Sequence, residues 1–295
     1  MHIGLIGLGR MGGNMRARLR EHDIEVTGFD QNPAVTDAAS VADLVATIPT
    51  PRIVWVMVPA GAITDSVIAE LGEHLEAGDL IIEGGNSRFT EDLRHAEELS
   101  AKGIEYIDAG VSGGIWGHEN GYGLMVGGKT EQVERAMPVF DALRPEGPRD
   151  EGFVHAGEVG AGHYAKMVHN GIEYALMQAY AEGYELLDKR EDIIKDVPGT
   201  FKAWQRGTVV RSWLLELLVR ALEQDPEFEK IAGYVEDSGE GRWTIEEALA
   251  SAVPVPTISA SIFARFVSRQ DQSPAMKAVA ALRQQFGGHG VKDAG

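Results

Sequence analysis

Apolar runs short enough to be strands alternate with stretches of helical periodicity through the first half of the chain. Residues 3–7, 25–29, 52–58, 80–83 and 105–108 carry apolar and β-branched side chains between polar or glycine-bearing turns. That pattern predicts buried strands. Residues 14–20 read as a helix between the first two. The alternation predicts a parallel, doubly wound α/β sheet. Residues 121–128 predict a strand returning along the sheet edge, and residues 152–155 the last strand. Past residue 157 strand patterns give way to long apolar periodicities, as at 177–187 and 209–222. Two domains are expected: α/β over residues 1–157, all-α over 158–295.

The first strand runs into Gly7-Leu8-Gly9-Arg10-Met11-Gly12, a G-x-G-x-x-G. In that motif the first glycine permits a tight turn, the second lets the backbone approach a pyrophosphate, and the third allows close packing of helix on strand. The helix N-terminus offers free N–H groups to the anion. Asp30 ends the second strand about 20 residues on, where an acidic residue accepts hydrogen bonds from the adenosine ribose. The first domain is therefore of Rossmann type. No Arg follows Asp30 in Gln31-Asn32-Pro33, and a carboxylate repels a 2′-phosphate, so NAD is expected over NADP. Ligand groups belong at the carboxyl ends of such strands. Three small polar loops fall there: Val58-Pro59-Ala60-Gly61, Gly84-Gly85-Asn86-Ser87 and Ser112-Gly113-Gly114.

Just past the domain boundary lies His163-Tyr-Ala-Lys166-Met-Val-His169-Asn170-Gly-Ile-Glu173-Tyr174. At 3.6 residues per turn, His169, Asn170, Glu173 and Tyr174 share one helix face with Lys166. A solvated salt-bridge ladder explains this stripe poorly, because Met167, Val168, Ile172 and Leu176 flank it. An amine and a carboxyl two turns apart suit proton transfer, and buried ionisable groups mark sites. The stripe is expected to hang over the nicotinamide end of the cleft.

Composition narrows the classes. The chain has 295 residues, 44% of them apolar, and no cysteine. Thiolate chemistry and Cys-ligated zinc are excluded, the 9 His show no ligand spacing, and no metal is expected. A net charge of −18 would repel nucleic acid. No apolar run nears the roughly 20 residues of a membrane span, and a strand pattern begins at once, so a cytoplasmic protein is expected. An anionic substrate then requires cations gathered locally, such as Arg211 before an apolar helical run or Arg283 and His289 in a glycine-bearing tail.

Taken together, Gly7-Leu-Gly-Arg-Met-Gly-Gly-Asn14, Gly84-Gly-Asn-Ser87, Ser112-Gly-Gly114, Leu124-Met-Val-Gly-Gly128, Lys166 through Tyr174 and Arg283 through His289 resemble the decarboxylating 6-phosphogluconate dehydrogenase family in its shorter, single-repeat form. The wider β-hydroxyacid dehydrogenases, such as 3-hydroxyisobutyrate dehydrogenases and glyoxylate reductases, are the alternative. They share the glycines, Ser-Gly-Gly and Lys-x-x-x-Asn, but not the His-Asn-Gly-Ile-Glu-Tyr continuation or the tail.

The resemblance implies oxidation of 6-phosphogluconate at C3, loss of CO2 and protonation of an enediol to ribulose 5-phosphate. By position, Lys166 matches the base and Glu173 the acid. Asn86, Ser112, Gly113, Gly114, His169 and Asn170 match contacts to the sugar acid, and Tyr174 and Arg211 match phosphate ligands. Arg283 and His289 match a tail that enters a partner subunit's site, which implies a homodimer or homotetramer. Gly7, Leu8, Gly9, Arg10, Met11, Gly12, Asp30, Val58, Pro59, Ala60 and Asn86 match cofactor contacts. Two departures stand out. Ser238-Gly239-Glu240-Gly241 replaces a Lys-Gly-Thr-Gly phosphate loop, which removes one cation. Ile115-Trp116 follow Ser-Gly-Gly where relatives often carry Glu.

Overall fold

The structure, a computed structural model, describes residues 1–287 and residue 292. Its first compact unit is Met1–His169 and its second Asn170–Gly295. The first unit runs β1 (His2–Ile6), α1 (Arg10–Glu21), β2 (Glu25–Phe29), α2 (Val41–Thr47), β3 (Ile53–Val56), α3 (Ala62–His74), β4 (Leu80–Glu83) and α4 (Phe89–Ser100). It continues through β5 (Glu105–Ser112), α5 (Gly117–Asn120), β6 (Gly123–Gly127), α6 (Thr130–Leu143) and β7 (Phe153–Gly157). Helix α7 (Ala161–Asp188) then passes through the unit boundary.

The sheet order is β2-β1-β3-β4-β5-β6-β7. Strands β1 to β5 pair in parallel, and β6 runs antiparallel to β5. β3 and β4 are buried at every position, as strands covered on both faces must be. Alternate residues feed two cores: Leu5, Trp55, Ile82 and Ile107 on one face, and Ile6, Val54, Ile81 and Tyr106 on the other. β6 returns as expected but does not form the edge. β7 pairs with it in parallel, Leu124 against Phe153, and β7 shows the half-buried alternation of an edge strand. Helix α1 starts at Arg10, four residues earlier than the periodicity suggested. The glycine turn itself begins the helix: Gly7 has φ +90°, and a Cβ on Gly12 would lie 1.9 Å from the Gly7 carbonyl oxygen.

The start of α7 is anchored more firmly than helix propensity requires. The Asp108 side chain on β5 accepts hydrogen bonds from the Gly160 N–H at 2.6 Å and the His163 N–H at 2.8 Å, which satisfies donors that every helix start leaves open. Two glycines let the helix sit on the strand. A Cβ on Gly162 would meet the Met125 carbonyl oxygen at 2.4 Å, and one on Gly110 would meet the Lys166 Cβ at 2.5 Å. The stem of Lys166 therefore lies directly over β5.

The second unit continues α7 and adds α8 (Val197–Trp204), α9 (Trp213–Gln224), α10 (Glu240–Ala250), α11 (Pro256–Val267) and α12 (Pro274–Gly287), with no strand among the described residues. Its core is Phe201, Leu215, Val219 and Leu222 packed against Tyr180, Tyr184 and Leu187 of α7. The 209–222 periodicity becomes helical only at Trp213, because Ser212 caps α9 by accepting the Leu215 N–H, as serine does at helix starts.

Candidate active site

The glycine turn after β1 and the loop after β3 flank the point where strand order reverses, the usual ligand position in such sheets. The Leu8 N–H donates to Asp30 Oδ2 at 2.7 Å, and Asp30 Oδ1 accepts from the Asn32 N–H. Gly9 is exposed, with nothing within 4 Å of an added Cβ, and α1 has no side-chain cap. Open space over uncapped N–H groups fits a pyrophosphate. Arg10 is exposed and Met11 half-buried on the first turn of α1. Val58 is half-buried and Pro59 and Ala60 are exposed after β3. Two cations on the same helix, α1, are already engaged: Asp37 takes Arg16 at 3.1 Å and Arg20 at 2.8 Å, and it accepts the Gly28 N–H at 3.0 Å. Burial opposes its charge, but these partners outweigh that and hold Asp37 below the usual carboxylate range.

The candidate substrate groups of the first unit sit at the ends of β4 and β5 and on α7. Asn86 is half-buried two residues after the Gly84 turn, and Glu83 Oε1 accepts the Gly85 N–H at 2.7 Å. Gly113 and Gly114 have φ +137° and +55°, backbone that favours glycine. Ser112 Oγ stands 3.5 Å from His169 Nε2, and Lys166, one turn before His169, is buried. The fold thus brings Ser112, Lys166 and His169 together.

In the second unit, Asn170 Nδ2 donates to Glu240 Oε2, as does Ser238 Oγ at 3.1 Å. The Tyr174 hydroxyl lies 3.0 Å from Ser238 Oγ and accepts the Ser238 N–H at 3.2 Å. The carboxylate of Glu240 is therefore buried and already bonded. Glu173 is half-buried on the same helix. Arg265 of α11 lays its guanidinium 3.5 Å from the Tyr174 ring centroid and donates to the Glu236 carbonyl and the Met177 thioether. Its charge meets neutral partners. Arg265 has no local signature in the sequence, being one Arg in an amphipathic helix 91 positions from Tyr174.

Arg211 is exposed in the turn before α9, and the Tyr180 hydroxyl holds its neighbours Val210 and Ser212 at 2.5 and 2.8 Å. Arg283 is exposed on α12, and His289 lies outside the described residues. One group among the described residues has metal-ligand character: Glu83, Asp92 and His163 bring donor atoms within 4.8 Å of one another. They come from three separate elements, which no spacing rule detects. His163 Nδ1 bonds to Asp92 at 2.7 Å, so a proton already takes the place a cation would have between them.

Comparisons with known proteins identify the family. The model of the NAD binding domain of 6-phosphogluconate dehydrogenase matches residues 2–145, and that of the 6-phosphogluconate dehydrogenase C-terminal domain matches residues 162–293. The chain is 43% identical over 302 residues to a decarboxylating, NAD(+)-dependent 6-phosphogluconate dehydrogenase of Haloferax volcanii, covering 99% of this chain and 98% of that protein. It is 40% identical over 301 residues to the YqeC protein of Bacillus subtilis (strain 168), covering 99% of each. A solved structure of Plasmodium falciparum 6-phosphogluconate dehydrogenase superposes with a TM-score of 0.83 at 27% identity, over 97% of this chain and 65% of that one. With a glycine turn built for a dinucleotide, a buried lysine over β5, and both domains of one enzyme matched along the sequence, the chain belongs to the 6-phosphogluconate dehydrogenase family.

Proposed function

We propose that the chain oxidises and decarboxylates 6-phosphogluconate to ribulose 5-phosphate and CO2 with NAD as hydride acceptor, Lys166 as base and Glu173 as acid. The observation that carries the assignment of roles is the placement of both groups on one face of α7, two turns apart, with the Lys166 stem seated over Gly110. NAD would be held by the residue 7–12 turn and Asp30 and would supply the hydride acceptor. Lys166 as a neutral amine takes the C3 hydroxyl proton while the hydride leaves C3. The resulting ammonium donates a hydrogen bond to the new ketone oxygen, so the electron pair released with CO2 is accepted there without a metal. Glu173 then protonates the enediol at the carbon that becomes C1. Asn86, Ser112, Gly113, Gly114, His169 and Asn170 orient the carboxylate and hydroxyls.

The phosphate end of this reading is Tyr174, the N–H groups at the start of α10, and Arg265, a cation with neutral partners beside a loop that lacks the family lysine. Guanidinium–phosphate pairs are charge-assisted.

Cofactor choice follows from charge. Asp30 disfavours a 2′-phosphate, no Arg or Lys occurs in residues 31–36, and Asp37 neutralises Arg16 and Arg20. The Haloferax relative is named as NAD(+)-dependent.

The second unit leaves much apolar surface open. Leu186, Leu249, Phe263 and Val267 are 71, 78, 58 and 65% exposed, and a groove of about 570 Å³ is lined by Tyr180, Tyr184, Leu214, Leu217, Phe228 and Ile231. Exposed apolar patches of this kind mark interfaces. The reading is a homodimer or homotetramer in which Arg283 and His289 of each tail complete a partner's site.

Five outcomes test these readings. Lys166→Met lowers kcat by about 10²–10⁴-fold or more with NAD affinity kept, and Glu173→Gln slows product formation after hydride transfer; wild-type turnover in either removes that residue from the mechanism. The kcat/KM ratio favours NAD over NADP by about tenfold or more, and a tenfold preference for NADP contradicts the role of Asp30. Arg265→Ala raises KM for 6-phosphogluconate by roughly 10–100-fold; an unchanged KM there with a large rise in Arg211→Ala returns the phosphate to Arg211. Sedimentation equilibrium at micromolar protein finds dimers or tetramers, and a monomer with full activity rules out a shared site.

A further inference from the structure

A set of charged groups buried beneath the site is used by none of these steps. Glu83 ends β4, Asp92 sits on α4, Asp108 on β5 and His163 on the first turn of α7, and all four are at most 2% exposed. His163 Nδ1 lies 2.7 Å from Asp92 Oδ2 and 3.7 Å from Glu83 Oε2. The Tyr106 hydroxyl donates to the other Asp92 oxygen at 2.8 Å. Glu83 Oε2 and His163 Nε2 are buried with no hydrogen-bond partner.

Stability alone is a poor reason to keep such a group, since well-packed apolar residues often replace a buried ion pair at no loss. Its attachments suggest a better one. Glu83 holds the Gly85 N–H, one residue before Asn86. Asp108 holds the Gly160 and His163 N–H groups and lies on the strand that ends at Ser112. Lys166 comes one turn after His163. Three segments that carry candidate site groups therefore share one buried fastening.

We propose that the His163–Asp92–Glu83 cluster is a positioning device for the base, fixing the rotation of α7 about its axis and so the direction of Lys166 relative to Asn86 and Ser112. The cluster touches no substrate and acts through the segments it joins. Its charge state makes the fastening rigid. Burial opposes a charged imidazole, but the carboxylates of Asp92 and Glu83 outweigh that and lift His163 to about 10. Burial pushes Glu83 up against the pull of His163, and the charge of Asp92 adds to the rise. Tyr106, buried beside Asp92 and Glu83, is held well above its ordinary range and stays a neutral donor. The groups facing His163 are thus Glu83 from β4, Asp92 from α4, and Tyr106 and Asp108 from β5, with Lys166 further along α7 itself. Burial pushes Asp92 up as well, against the pull of His163, and the 2.7 Å bond between the two holds a shared proton in the buried cluster.

The inference rests on Lys166 acting as the base, and the test separates the two. Asp92→Asn keeps the shape but removes the main charge that holds the proton on His163. His163→Asn keeps a donor toward Asp92 but cannot titrate. Expected in both are an NAD Kd within about twofold of wild type and a kcat lowered by about tenfold or more, with a smaller change in KM, as displaced catalytic groups produce. In Asp92→Asn alone, the ionisation of His163 moves to lower pH and enters the kcat–pH profile, as burial drives the proton off the imidazole. Wild-type kcat and pH profile in both variants overturn the proposal. So does joint loss of fold or NAD binding in both, which reduces the cluster to a structural element. If Lys166→Met is inactive while Asp92→Asn behaves as wild type, only the positioning role fails; if Lys166→Met turns over normally, the reading of the base fails first.

Discussion

The distance between one helix and one strand governs the chemistry of this chain. Helix α7 can bring Lys166 over β5 only because Gly110 and Gly162 carry no side chains where their backbones meet, and a methyl at either would stand under 2.6 Å from its neighbour. Close packing alone would leave the helix start with unsatisfied donors in a dry interior, a costly arrangement. Asp108 removes that cost by accepting two of them. Glycine placement and one buried carboxylate thus act together: the first permits the approach, and the second makes it stable.

Charge is arranged on the same principle of local matching. The chain carries −18 overall, yet the substrate proposed for it is an anion with both a carboxylate and a phosphate. The answer lies in where carboxylates are spent. Asp37 binds Arg16 and Arg20 near the adenosine end, Asp237 binds Arg242 and Arg269, and Glu240 is buried and bonded by Asn170 and Ser238. Arg265 meets a carbonyl, a thioether and an aromatic face instead, so its charge remains available to a ligand. An acidic protein can present a cationic spot when its acids are paired elsewhere.

What could be read directly from the chain were the features with local signatures. Strands β2 and β4 have the bounds their apolar runs predict, and the glycine turn followed by Asp30 is a contiguous pattern whose geometry is set by a few residues. The helix stripe from Lys166 to Tyr174 was legible because helical spacing alone decides which residues share a face. Features that depend on distant partners were not. β6 looked like an edge because its glycines weaken the strand signal, and only the pairing with β7 covers it. Glu83, Asp92, Asp108 and His163 are spread over 80 positions, and each alone looks like an ordinary solvated side chain. Arg265 gains meaning only when Tyr174 is beneath it.

The most direct measurement follows the complete reaction in D2O with 6-phosphogluconate and NAD, recording reduced nicotinamide, CO2 and the deuterium content of the product together. A base and an acid carried on one anchored helix require equal amounts of NADH and CO2, and ribulose 5-phosphate bearing a single deuterium at C1 in one configuration. NADH without CO2, or C1 labelled in both configurations, would contradict the account.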